Sequence, residues 1–171
     1  MIKTAILTVS DTRKKDNDMS GKVIRDILNK NGFSICKYEI VPDEIRKIKG
    51  KLIYYADVLK TDLVLTTGGT GFAPRDVTPE ATKAVIEKET PGIVEMTRIK
   101  SKAKYAYLSR AVAGIRKKTL IVNLPGNPAG VEECVSIILP VLKHAVEMIK
   151  GHTKHKVKEN RDKLKIMKLN K

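Results

Sequence analysis

Hydrophobic positions along the chain switch repeatedly between unbroken apolar runs and a helical spacing. Residues 3–9 are rich in Ile, Leu, Val and Thr and stop at Ser10-Asp11, the pattern of a strand buried on both faces. A polar loop carrying Asp16, Asn17 and Asp18 follows. Asp18 or Ser20 can then cap a helix over about 20–30, with Val23, Ile24, Ile27 and Leu28 on one side and a stop at Asn31-Gly32. Residues 34–41 read as a second strand closed by Pro42. Asp43 opens a helix to about Leu59, with Ile45, Ile48, Leu52 and Ile53 inward. A third strand, Asp62 to Thr67, leads straight into Gly68-Gly69-Thr70-Gly71. Thr78-Pro79-Glu80 marks a helix start, with Thr78 as N-cap and Pro79 at the first helical position. Pro91 opens another helix to about Lys104, residues 119–124 form a fourth strand, and Pro140 is expected to break or kink the amphipathic stretch 129–149.

Parallel strands need helical crossovers, so this alternation predicts a three-layer α/β/α domain with a mostly parallel central sheet over residues 1–150. Ligands of such sheets bind beyond the carboxyl ends of the strands. The polar punctuation of this chain falls at those ends.

Charge changes the picture less than it first suggests. The 171 residues carry 34 Lys and Arg against 19 Asp and Glu, a net charge of +15. Residues 151–171 hold eight basic and two acidic side chains, so a Lys-rich C-terminal tail contributes +6 and the rest of the chain +9. Two Phe, five Tyr and no Trp are too few for a base-stacking platform, so nucleic acid is not the expected partner. Cys36 and Cys134 have no CxxC or metal-ligand neighbour and read as ordinary buried thiols. His152 and His155 stand at i, i+3 without a third ligand. The N-terminal run reads as a strand rather than a signal peptide, and no apolar stretch approaches the roughly 18 residues of a membrane helix. These features point to a cytoplasmic protein that does not use the membrane.

Thr66-Thr67-Gly68-Gly69-Thr70-Gly71 is the strongest local feature. Successive glycines allow a sharp turn and a close backbone approach, with N–H groups aimed at anionic oxygens. No Gly-Lys-Ser/Thr follows, so it is not a Walker A loop, and it lacks the dinucleotide GxGxxG spacing. A plain strand-to-loop turn would explain it in isolation. Its companions are acidic: Asp11 after strand one, Asp43 after strand two, and Asp76 five residues past Gly71. In a parallel sheet all three gather along one edge, and Mg²⁺ takes one or two carboxylates together with substrate phosphates. Helix capping is the competing explanation for Asp43 and Asp76. Asn123-Leu124-Pro125-Gly126-Asn127-Pro128 has the form of a rigid binding loop or of a simple turn. Ser109-Arg110 and Arg116-Lys117-Lys118 offer either phosphate contacts or ordinary surface charge. No Ser–His–Asp or Cys–His set suggests covalent catalysis.

These blocks resemble the molybdopterin-binding family of MogA and MoaB proteins. The resemblance rests on Leu7-Thr8-Val9-Ser10-Asp11, Val41-Pro42-Asp43-Glu44, the run from Leu63 to Thr82, Glu89-Thr90-Pro91-Gly92, Leu108-Ser109-Arg110 and Leu124-Pro125-Gly126-Asn127-Pro128, in family order over about residues 3–150. It is nearest to the molybdopterin adenylyltransferases: MogA, the plant homologue and the gephyrin G domain. The resemblance implies that the terminal phosphate of molybdopterin attacks the α-phosphate of ATP, with Mg²⁺ required and pyrophosphate released. The adenylylated pterin would pass to a MoeA-like partner that inserts molybdate. By matching position it implies Asp43 and Asp76 for Mg²⁺–ATP. It implies Gly68, Gly69, Thr70, Gly71, Ser109, Asn123, Pro125 and Gly126 for the pterin phosphate, with Ser10 and Asp11 beside them. It also implies a homotrimer. A MoaB-like molybdopterin-binding or scaffold domain without catalysis is the second reading, and residues 151–171 match neither.

Overall fold

The computed structural model describes residues 1–152, so the Lys-rich tail beyond them and His155 lie outside the described residues. Strands β1 (Ile2–Val9), β2 (Phe33–Val41), β3 (Leu63–Thr67), β4 (Lys88–Glu89), β5 (Ala113–Arg116) and β6 (Thr119–Leu124) form one sheet in the order β2-β1-β3-β6-β5-β4. The first four in that order run parallel, and β5 and β4 close one side antiparallel. The mostly parallel α/β/α expectation holds. The sequence reading missed β4 and β5. β4 is two exposed residues, and β5 joins β6 through Lys117-Lys118, a pair without the usual Gly or Asn turn signal.

Both faces of the sheet are covered, which explains the unbroken apolar runs. Along β1, Ile6 faces one core while Ala5, Leu7 and Val9 face the other. Along β6, Leu120, Val122 and Leu124 face the first and Ile121 the second. The first core takes in helices α1 (Met19–Lys30), α4 (Pro91–Lys100) and α5 (Pro128–Ile149). The second takes in α2 (Ile45–Ile53), its π-helical continuation over Tyr54–Val58, and α3 (Thr78–Lys83). Asp18 is the cap of α1, accepting from Gly21 N–H at 3.0 Å, and Ile24 and Leu28 are fully buried.

Four local expectations are corrected. α5 runs unbroken through Pro140, because Pro140 and the Ser136 carbonyl it leaves unpaired lie on an exposed side where water can satisfy the carbonyl. Thr78 does not cap α3; its buried hydroxyl donates to Gly68 O at 2.9 Å instead. Cys36 is exposed, since the β1–β2 register slips there and Cys36 is the bulged residue of an edge strand. Ile45, at the first turn of α2, is also exposed, while Ile48 and Leu52 carry the buried face.

Gly50 lies mid-helix in α2 with nothing within 4 Å of an added Cβ. Gly50→Ala is therefore expected to stabilise the fold by about 0.5–1 kcal/mol through the entropy of the unfolded chain. A urea midpoint equal to or below that of the parent would contradict this.

Candidate functional site

The carboxyl ends of β2, β1, β3 and β6 lie side by side, and the strand order reverses between β1 and β3, β2 lying on one side of β1 and β3 on the other. A sheet of this kind opens its crevice at that switch point. The Gly-rich turn fills it. Gly68 adopts φ +100° and Gly69 φ +63°, in the left-handed region that favours glycine. A Cβ on Gly68 would stand 2.2 Å from Val9 O, so the turn rests directly on the end of β1. A Cβ on Gly126 would stand 3.4 Å from Gly68 Cα, and Thr67 Oγ1 donates to Pro125 O at 2.7 Å. The loops after β1, β3 and β6 thus meet with backbone against backbone.

The carboxylates edge this turn. Asp43 Oδ1 lies 2.8 Å from where a Gly69 Cβ would be, and Asp76 Oδ2 lies 2.8 Å from the corresponding point on Gly71. Asp76 also accepts from Ala73 N–H at 2.9 Å, which folds residues 73–76 back toward the glycines. Asp11 is exposed, accepts from Asp43 N–H at 3.1 Å, and takes both arms of Arg75 at 2.8 and 3.0 Å. Arg75 holds the Asp11 carboxyl below the usual carboxylate range. Asp43 moves the other way. Partial burial raises its pKa, and the nearby Asp11 and Asp76 charges add to the effect. A bound cation would relieve that repulsion.

Ser10, Thr70, Ser109, Asn123, Pro125 and Gly126 all fall on or beside this edge, but in different capacities. Ser10 Oγ accepts from Arg13 N–H and Thr12 N–H, turning the chain after β1. Thr70 is buried, and its carbonyl accepts from Arg110 N–H. Asn123 is only 2% exposed. Its amide donates to Thr66 and Thr82 and accepts from Val112 N–H, so the side chain is spent on joining β3, α3 and the residue before β5. Ser109 and Pro125 line a cavity of about 230 Å³ between α4 and α5, together with Arg98, Tyr105, Asn127 and Cys134. Burial pushes the Cys134 thiol up to about 11, which keeps it an inert wall of that cavity.

Three arginines brace the loops at this edge. Arg110 reads in the sequence as a phosphate contact or surface charge, whereas its guanidinium grips Gly71 O at 2.7 Å, Asp76 O at 2.6 Å and the Glu80 carboxylate. Arg13 donates to Gly126 O at 2.6 Å, beside Ser20 Oγ on the same carbonyl at 2.8 Å. Arg75, inside the quoted motif, carries no assigned role in the sequence reading. Arg13 and Arg75 lie in the loops after β1 and β3, a position legible in the sequence, whereas Arg110 comes from the segment before β5. By contrast, Arg116 pairs with Asp57 through both arms and lies away from this edge.

A family model described as a probable molybdopterin binding domain matches residues 5–144. The chain belongs to that family. It is 44% identical to a molybdopterin adenylyltransferase of Helicobacter pylori over 158 residues, covering 88% of this chain and 89% of that protein. The solved structure of the molybdopterin biosynthesis enzyme MoaB from Thermus thermophilus is similar at a TM-score of 0.83 and 46% identity, over 88% of this chain and 98% of that one. The molybdopterin biosynthesis Mog protein of Mycobacterium ulcerans is similar at a TM-score of 0.81 and 33% identity, over 87% and 99%.

Proposed function

We propose that the protein is a molybdopterin adenylyltransferase of molybdenum cofactor biosynthesis, transferring AMP from ATP to the terminal phosphate of molybdopterin and releasing pyrophosphate. The observation that carries this reading is the pair of carboxylates, Asp43 and Asp76, set against Gly69 and Gly71 of the same Gly-rich turn. The nucleophile is a substrate phosphate, so the protein needs no Ser, Cys or His nucleophile. It has to align two anions and offset their charge.

Backbone N–H groups of residues 69–71 and 126 would orient phosphate oxygens at the β1–β3 crevice, while the Gly68 N–H donates to Leu124 O. Arg110 holds the Gly71 and Asp76 carbonyls, and so fixes the distance between cradle and carboxylates. Arg75 is exposed and held by Asp11 through Nε and Nη2, which leaves Nη1 to meet a phosphate. The cavity bounded by Ser109, Pro125 and Tyr105 would take the pterin. Asp43 and Asp76 fit Mg²⁺ carried by ATP, since two carboxylates beside phosphate oxygens are the donors that ion takes, and it would supply charge neutralisation. Supply of the product to a MoeA-like molybdate-inserting partner, a homotrimeric assembly and a cytoplasmic location complete the proposal. Among the described residues no helix is long and apolar enough to cross a membrane.

The test is Mg²⁺-dependent pyrophosphate release from ATP and molybdopterin. Turnover supports the enzyme. Pterin binding without turnover would instead establish the MoaB-like binding or scaffold reading.

The raised Asp43 pKa predicts a pH effect with a definite sign. Its contribution to stability is fully present below the ordinary Asp value of 3.8 and is lost as pH rises through the raised pKa. Cation binding needs the carboxylate, so it follows the opposite slope. On acidification, Mg²⁺ affinity in the presence of ATP is expected to fall at a pH above that of an ordinary aspartate. Asp43→Asn should flatten that fall; an unchanged profile would place the titrating group elsewhere.

A further inference from the structure

The loops at the opposite end of the sheet, before β3 and β6, surround a second recess of about 400 Å³. Lys60, Lys117, Lys118 and Lys150 line it, with Thr61 and Thr119 at its base. Two acids answer these cations: Asp57, shared by Arg116 and Lys117, and Asp62, paired with Lys150 at 2.7 Å. The Asp62 carboxylate also accepts from Lys3 N–H, and the Thr61 and Thr119 hydroxyls donate to backbone carbonyls. Positive charge is in excess, and Lys60 and Lys118 carry no ion pair among the described residues.

The backbone gives an independent reason to single out this recess. Among the described residues two non-glycine positions have positive φ, Lys60 at 50° and Lys117 at 51°, and both line it. Lys60 follows the π-helix where Thr61 N–H returns to Tyr55 O, a helix-ending position that glycine fills at least cost. Lys117 opens the two-residue turn between β5 and β6. A lysine in the left-handed region costs free energy that glycine would spare, and such strain concentrates where a side chain is used. Here two strained positions hold the same kind of side chain around one recess.

We propose that this recess is an anion site for a compact oligophosphate, separate from the site at the carboxyl ends of the strands. Lysines are point charges suited to phosphate oxygens. The lining contains no aromatic ring to stack on a base and no unpaired guanidinium, so the chemistry recognises clustered phosphates rather than a nucleobase.

The probe is inorganic tripolyphosphate, titrated into the full-length protein by calorimetry at low salt. Lys60→Gln/Lys118→Gln is expected to weaken binding at least about fivefold by removing two of the four recess charges. Lys163→Gln/Lys165→Gln, which removes the same charge from the tail, should leave affinity within twofold. Equal loss in both pairs would show a diffuse field effect. Unchanged binding in the first pair would place the probe elsewhere; either result overturns the proposal. Lys60→Gly adds a second readout: it should raise the thermal midpoint while weakening the probe. Greater stability with full affinity would mean that the strained lysine does not serve the anion.

Discussion

Asp76→Ala is expected to abolish pyrophosphate release from ATP and molybdopterin, a loss of at least about a hundredfold in kcat, while pterin binding survives. Asp76 stands against Gly71, where a cation carried by ATP would meet the phosphate cradle, whereas the cavity proposed for the pterin lies beyond Pro125. The side chain has a second duty, because it accepts from Ala73 N–H and so shapes its own loop. Asp76→Asn separates the two. The amide oxygen can still take the Ala73 hydrogen bond, but the charge is gone. A charge role predicts that Asn is nearly as inactive as Ala, with an unchanged thermal midpoint. Turnover within threefold of the parent for Asp76→Asn would assign Asp76 to loop geometry alone. Parent-like turnover in both variants would remove it from the site.

The second large effect is conformational. Gly68→Ala would put a methyl group 2.2 Å from Val9 O, on a residue at φ +100°. Left-handed backbone costs an L-residue roughly 1–2 kcal/mol, and forcing a contact against main chain adds about 1–3 kcal/mol because the end of β1 cannot yield like a side chain. The expected loss is about 3 kcal/mol, a fall of roughly 6–12 °C in the thermal midpoint for a domain of this size. Function should fall further than stability, since the turn moves away from Gly126 and from the carboxylates. A Gly68→Ala protein that melts with the parent and turns over normally would show that the crevice does not need this close approach.

The contrast between Gly50 and Gly68 shows what kind of information each level carries. Both are Gly in the sequence, one inside a helical pattern and one after a strand. The turn at Gly68 is legible because a buried strand stops there and three more residues, two of them glycine, follow. That Val9 O lies beneath it is not legible, since the contact spans 59 positions and depends on β1 and β3 being neighbours.

The same division runs through the rest of the molecule. Local pattern was sufficient for the four parallel strands and the placement of Asp11, Asp43, Asp76 and the Gly turn at one edge; it left the cap of α1 open between Asp18 and Ser20, and the fold chose Asp18. Unbroken apolar runs report burial on both faces, and parallel strands bring every strand-to-helix loop to the same end. Local pattern was insufficient for β4 and β5, whose few residues gain strand geometry from their neighbours. It was also insufficient for Pro140, whose effect depends on which side of α5 meets water.

The sequence by itself determined the class of fold, the edge at which chemistry can occur and the kinds of group available there, because these follow from periodicity and residue type. Tertiary structure alone decided the duties of those groups. It set Asp11 on Arg75, turned Arg110 from a phosphate candidate into a brace, and spent the Asn123 amide on internal hydrogen bonds. It also gathered Lys60 and Lys117 around one recess at the far end. The physical reason is reach. Periodicity is set by neighbours a few residues apart, while a hydrogen bond or a charge pair is set by a few ångströms between side chains that the chain brings together from any distance.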